Sequence, residues 1–133
     1  NVAAMTKLAR DGAKVIVTVD CGTQAHTALE AAGEAGADVI VCDHHLPSEV
    51  LPRAFALVNP NRHDDMSGLK QVAAVGVAFL LCVATNRVLR AAGWFAARDA
   101  PDLRRWLSLV ALGTVADVVP RTGLNRAFVV KGL

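Results

Sequence analysis

Acids and histidines follow two strand-like segments of the sequence. Asp20 ends one β-branched run, and Asp43, His44 and His45 follow the next such run. Ligands of open parallel α/β sheets bind beyond the carboxyl ends of the strands, and neighbouring strands lie about 4.8 Å apart. These side chains are therefore expected to share an ion, because carboxylate and imidazole ligands together suit manganese, magnesium, iron or zinc. Asp20 alone is equally typical of a βα turn or an N-cap, whereas the acid followed by two histidines is harder to explain structurally.

A third acid, Asp117, follows the apolar stretch LVALGTVA at residues 109–116. A carboxylate in so apolar a setting must be hydrogen-bonded, paired or bound to a metal, because an isolated buried charge is costly. Taken alone, a helix or turn contact is the simpler interpretation. Beside Asp20 and His44, a role as a ligand gains weight.

Strands alternating with helices surround these residues. Strands are predicted over residues 14–19, 38–42 and 54–58, and helices over 2–9, 25–35, 72–92, from Pro101 and from Asn125. Thr23 suits the N-cap of the second helix, and Trp106 lies on the apolar stripe of the fourth and is expected in the core. The pattern predicts an α/β fold with a parallel sheet, flanking helices and right-handed connections. No domain boundary is evident, because the polar loop at residues 59–70 is short for a linker.

The composition excludes several classes of protein. Among the 133 residues, 53% are hydrophobic and 20% are charged, which excludes an intrinsically disordered chain. The longest apolar run, residues 72–84, has 13 residues, and a membrane span needs roughly 20, so a buried helix is expected. The three cysteines form no C-x-x-C pair, so we expect neither a disulfide framework nor a structural zinc site, and a cytoplasmic location. Because the chain begins with Asn1 and the helix predicted from Asn125 is cut off, it is expected to be an excerpt of a longer protein, truncated at both ends.

Charge is distributed unevenly along the chain. Residues 1–66 carry a net charge of −4 and residues 67–133 a net charge of +6, within a total of +2. An acidic half beside a basic half suits a cation site next to a polyanion-binding surface. Solvated helix faces that merely differ in composition explain the same counts at least as well.

A series of motifs runs along the chain: VTVDCG at 17–22, DHH at 43–45, NPNR at 59–62, AAVGVAF at 73–79, ALGTVADVVP at 111–120 and the Asn-Arg pair at 125–126. In these motifs and in their order, the sequence resembles the DHH phosphoesterase family and, within it, the RecJ-type single-strand-specific exonucleases. A DHH triplet alone is a weak signal, but DHH after a strand, with VDCG before it and GTVADVVP after it, is specific. The last two motifs favour the exonucleases over the pyrophosphatases and small-oligonucleotide phosphatases of the family.

The resemblance covers nearly the whole chain but only part of the family's catalytic region. The first acidic motif of the family is expected upstream, and the DHH-associated domain is expected downstream. The whole chain, residues 1–133, is therefore expected to be part of a DHH catalytic domain. Minor departures are Cys42 and Arg121, where a Thr and a Leu are expected; neither replaces a ligand.

The resemblance also implies a role for each site residue. Asp20 is expected to bridge two divalent cations, manganese or magnesium. His44 is expected to bind the second ion, and Asp117 to complete its ligands. His45 is expected to contact the scissile phosphate, and Asp43 to orient His44 through a ring N–H as an outer partner of the metal site.

The implied activity is two-metal phosphodiester hydrolysis, as in a 5′→3′ exonuclease that acts on single-stranded DNA in repair and recombination. Arg126 is a further candidate for a phosphate contact. Single-stranded DNA is the expected partner, no membrane is expected, and the isolated chain is expected to be inactive because its ligand set is incomplete. Two alternatives remain open: a phosphodiesterase of short oligonucleotides or cyclic dinucleotides, and a non-catalytic metal-binding α/β module.

Overall fold

The computed structural model describes all of residues 1–133. Its elements are α1 (Val2–Arg10), β1 (Val15–Val19), α2 (His26–Glu34), β2 (Asp38–Cys42), β3 (Ala56–Val58), α3 (Ala74–Ala91), a 3₁₀ turn (Leu103–Trp106), α4 (Leu107–Ala116) and α5 (Gly123–Gly132). The chain divides into two compact units, here called unit 1 (Asn1–Lys70) and unit 2 (Gln71–Leu133). The division falls at the end of the predicted polar loop.

Unit 1 is a parallel sheet with helices against it, as the alternating pattern predicted. The strand order is β1-β2-β3, and both neighbouring pairs are parallel. Val39 and Val41 of β2 are buried against Leu29 and Ala32 of α2 in one apolar cluster. The central strand is therefore the most buried of the three, and its last residue, Cys42, is fully buried.

The turn between β1 and α2 differs from the sequence prediction. The helix begins at His26 with Ala25 at its N-cap, so Thr23 is not the cap; it is fully buried. The preceding Gly22 has φ +120°, and a Cβ there would lie 2.8 Å from Oγ1 of Thr18. Only glycine meets both conditions, because this backbone conformation strains other residues and no space exists for a side chain.

Unit 2 consists of helices, and α4 packs closely on α5. A Cβ built on Gly132 of α5 would overlap the carbonyl oxygen of Leu107, so the absence of a side chain permits this approach. The rings of Phe79 in α3 and Phe128 in α5 meet edge to face with centroids 5.6 Å apart, a favourable aromatic geometry.

Two expectations for unit 2 were wrong in part. The helix predicted as buried is covered only near its start, where Ala74, Gly76 and Val77 are buried. By length and composition α3 could cross a membrane, but a single helix of this kind is weak evidence for a span. Trp106 is not in the core: its side chain is 56% exposed, because a 3₁₀ turn precedes α4 and breaks the predicted helical stripe.

Candidate metal centre

The parallel strands of unit 1 end at one edge of the sheet, and the pairing continues one residue further. Val19 pairs with Cys42, which pairs with Val58 on its other side. The N–H of Asp20 then donates to the carbonyl oxygen of Cys42, and the N–H of Asp43 donates to that of Val58, both at 3.0 Å. Asp20 and Asp43 therefore stand in one row across the carboxyl edge.

Asp20, His44 and His45 bring three potential metal ligands together at this edge. One ligand atom from each lies within 4.8 Å of the other two, and Nε2 of His44 is 3.4 Å from Oδ1 of Asp20. The two imidazole rings meet edge to face with centroids 4.8 Å apart. One carboxylate and two imidazoles form a donor set for a divalent transition metal, so the residues present fit such an ion.

The backbone of Asp20 is itself unusual. Its φ is +62°, in the left-handed region that few residues other than glycine adopt, although aspartate tolerates it better than most. Such strain persists only where the surroundings hold it, and it is frequent at functional sites. The turn from β1 into Cys21 and Gly22 thus places the exposed Asp20 carboxylate beside His44.

Asp43 lies beneath this cluster as a buried carboxylate with several donors. Its Oδ2 accepts from the N–H of Thr23 at 2.9 Å, and its Oδ1 accepts from the N–H groups of His44 and His45 at 2.8 and 3.3 Å. Burial raises the pKa of Asp43, but the hydrogen bonds from Thr23, His45 and His44 outweigh burial and hold its pKa well below the usual value. Asp43 is therefore a fixed negative charge under the two histidines.

Asp43 also contacts the ring of the second histidine. Nδ1 of His45 lies 2.7 Å from Oδ1 of Asp43, whereas the contact from His44 to the same oxygen comes from its backbone N–H. Asp43 therefore orients the ring of His45, a contact that the sequence did not predict, because the chain turns immediately after β2. That Asp43 orients the ring of His44 stays a prediction.

Asp117 lies in unit 2, at the C-cap of α4. Its N–H donates to the carbonyl oxygen of Gly113 at 3.0 Å. The residue is exposed, so the expected burial in an apolar setting is wrong: this last turn of α4 faces solvent. The next residue, Val118, has φ +59°, which turns the chain away from the helix. A ligand role for Asp117 stays a prediction, as does a phosphate contact for Arg126, which is exposed on α5.

Sequence reasoning missed three polar residues that surround the histidines. Thr23 and Asn59 are buried, and Asn61 is half-buried. Asn59 and Asn61 belong to the NPNR segment, which begins directly after β3. Its position after the third strand was the available signal, since all three parallel strands end at the same edge.

Comparisons with known proteins match the chain to the DHH family and to RecJ exonucleases. The model of the DHH family, N-terminal domain, matches residues 2–114. The chain is 48% identical over 131 residues to the single-stranded-DNA-specific exonuclease RecJ of Dickeya dadantii (strain 3937), covering 97% of this chain and 23% of that protein. It is 49% identical over 124 residues to the RecJ exonuclease of Escherichia coli (strain K12), covering 92% of this chain and 22% of that protein. The chain thus spans less than a quarter of the length of these relatives.

Solved structures agree in fold. A crystal structure of exonuclease RecJ bound to manganese superposes with a TM-score of 0.77 at 33% identity, covering 99% of this chain and 31% of that one. The structure of RecJ in complex with Mn²⁺ from Thermus thermophilus gives a TM-score of 0.75 at 32% identity, covering 96% of this chain and 18% of that one.

Proposed function

This chain belongs to the DHH family, and we propose that it forms part of the catalytic domain of a metal-dependent exonuclease that degrades single-stranded DNA from the 5′ end. The observation that carries the proposal is the cluster of Asp20, His44 and His45 at the carboxyl edge of the sheet. The similarity of the chain to RecJ exonucleases and to a manganese-bound RecJ structure supports the choice of reaction.

The proposed metal site would hold two divalent cations, manganese or magnesium. Asp20 would be a ligand of both ions, and His44 and Asp117 would be ligands of the second. Divalent ions held in this way supply Lewis-acid stabilisation to the attacking and leaving oxygens of a phosphodiester. The left-handed backbone at Asp20 and the hydrogen bond from the N–H of His44 to Asp43 hold the backbone of these two proposed ligands in place.

His45 is proposed to meet the scissile phosphate. The Asp43 carboxylate, 2.7 Å from Nδ1 of His45, stabilises positive charge on the ring and sets its orientation. A charged imidazole directed at a phosphate oxygen stabilises the negative charge that develops during hydrolysis. Arg126 is proposed as a second positive contact to the phosphate backbone.

The test uses the intact protein with manganese and long 5′-phosphorylated single-stranded DNA. His44→Ala is expected to bind one Mn²⁺ ion fewer than the unmodified protein and to release no mononucleotides. His45→Ala is expected to keep Mn²⁺ binding and to slow turnover by about 10²–10³, as for one lost oxyanion donor. His26→Ala is the matched control, because His26 bonds Ser48 and lies outside the cluster; its activity should be unchanged.

Two results would contradict these assignments. Normal Mn²⁺ binding by folded His44→Ala would remove His44 from the ligands, and loss of Mn²⁺ binding in His45→Ala would make His45 a ligand. Faster cleavage of dinucleotides than of long strands would favour the short-oligonucleotide phosphodiesterase instead.

A further inference from the structure

Buried polar side chains gather directly beneath the histidine pair. Within unit 1 the only buried polar or charged residues are Thr23, Asp43 and Asn59, with exposures of 0, 1 and 3%. Burying a polar group is costly unless it is hydrogen-bonded. Three such residues in one place therefore require a common set of partners.

Asn59 closes these residues into a ring of hydrogen bonds. Its Nδ2 donates to Oγ1 of Thr23 and to the carbonyl oxygen of His45, both at 2.8 Å. The N–H of Thr23 donates to Asp43, which in turn contacts the ring of His45. Oδ1 of Asn59 accepts from the N–H of Asn61 at 2.7 Å. Both donors and the acceptor of the Asn59 amide are thus in use.

Asn61 makes the matching contact to the other histidine. Its Nδ2 donates to the carbonyl oxygen of His44 at 2.5 Å. Each histidine of the DHH triplet therefore has its own carbonyl group held by an asparagine. Since a peptide plane that rotates carries the adjacent side chain with it, these bonds limit where the two rings can point.

The sheet supplies the rigid base for this arrangement. Asp43 donates its N–H to Val58, so the segment that begins at Asn59 starts beside the segment that carries the histidines. The asparagines thus lie in the turn that directly follows β3, a strand paired with β2. Sites held by regular elements keep their geometry better than sites held by loops alone.

We propose that Asn59 and Asn61 are positioning residues, which hold the backbone of His44 and His45 so that the rings meet Asp20, and which thereby set the affinity of the site for a divalent cation. The inference rests on the proposed function, since it takes Asp20 and His44 as ligands. Removing outer partners of metal ligands typically costs about 10- to 100-fold in metal affinity.

The experiment titrates the intact, metal-free protein with MnCl₂ alone, without DNA, by calorimetry. Asn61→Ala is expected to weaken Mn²⁺ binding about 10- to 100-fold. Asn59→Ala is expected to weaken Mn²⁺ binding through Asn61, whose N–H it holds and which in turn holds the carbonyl of His44. It is also expected to lower the thermal midpoint of the metal-free protein, because Asn59 is buried. Gln24→Ala is the control. The amide of Gln24 also donates to a carbonyl oxygen, that of Leu46 at 2.9 Å, but not to that of either histidine. The Mn²⁺ affinity of this variant should equal that of the unmodified protein.

The outcomes separate positioning from plain stabilisation. If Asn61→Ala lowers the thermal midpoint but binds Mn²⁺ as the unmodified protein does, the role is only structural and the inference is overturned. If Asn59→Ala fails to fold, the half-buried Asn61 decides the result. If the unmodified protein binds no Mn²⁺, or His44→Ala binds it equally well, the proposed function fails as well, and this is visible without either asparagine variant.

Discussion

Replacing Asp43 by Asn keeps the shape of the side chain and removes its charge. The carboxylate accepts from the N–H groups of Thr23, His44 and His45 and contacts Nδ1 of His45, at 2.7–3.3 Å. An amide offers one oxygen and one NH₂ group, so in either orientation at least one buried N–H donor faces another donor. The network cannot be satisfied by rotating the amide.

The expected cost follows from these contacts. A hydrogen bond to a charged acceptor contributes about 1.5–3 kcal/mol, and an unsatisfied buried donor costs about 1–3 kcal/mol. We expect a local loss of about 3–4 kcal/mol for Asp43→Asn, which corresponds to amide exchange about 100- to 1000-fold faster.

Hydrogen exchange with mass spectrometry on the intact protein at pH 7 measures this loss, in peptides that contain Thr23 and residues 43–45. Peptides from α5 in the same sample serve as the internal reference. Asp64→Asn is the matched control, because the Asp64 carboxylate pairs with Arg62 at the surface, where such pairs contribute little. Acceleration below about tenfold would refute the argument that the Asp43 charge holds this edge together.

The same network predicts a pH dependence. The pKa of Asp43 is lowered in the folded protein, so its contribution is complete above the ordinary aspartate pKa of about 3.9 and is lost as the pH falls towards the folded value. The stability difference between the unmodified protein and Asp43→Asn should therefore be present in full at about pH 5 and shrink below about pH 4. If the stability difference already shrinks as the pH falls through neutral, a group other than Asp43 is responsible for it.

Further changes test other parts of the chain. Gly22→Ala should lower the free energy of unfolding by about 2–4 kcal/mol, because of the positive φ and the contact with Thr18; an unchanged denaturation midpoint would contradict this. Asp117→Ala should abolish hydrolysis while changing stability by less than about 0.5 kcal/mol, since the residue is exposed; near-normal turnover would remove it from the ligands. Val118→Gly should stabilise the protein by about 1 kcal/mol, because Val118 is left-handed and 88% exposed, and a lower melting temperature would show that its strain is compensated. The isolated 133-residue chain should bind Mn²⁺ weakly and release no mononucleotides; release that disappears in Asp20→Ala would show that its ligand set is complete.

The sequence alone determined the strands, their parallel arrangement and the place of the cluster. β-Branched runs predict strands by local preference, and the spacing between Asp20 and Asp43 allows one helical crossover, so both acids had to end neighbouring strands at the same edge. That prediction needs no knowledge of side-chain packing, and the register of β1 with β2 confirms it. The DHH triplet in its context likewise identified the family without the fold.

Tertiary structure decided which polar groups meet and which faces are covered. Thr23 lies in the buried network and not at a helix cap, because its N–H donates to Asp43, directly after the next strand. The contact of Asp43 with the ring of His45 is set by the turn after β2. Trp106 is exposed because the 3₁₀ turn before α4 breaks the predicted apolar stripe, and Asp117 is exposed at the C-cap of α4. Local preference favours an element's type, whereas its exact ends, its hydrogen-bond partners and its burial depend on residues distant in the chain.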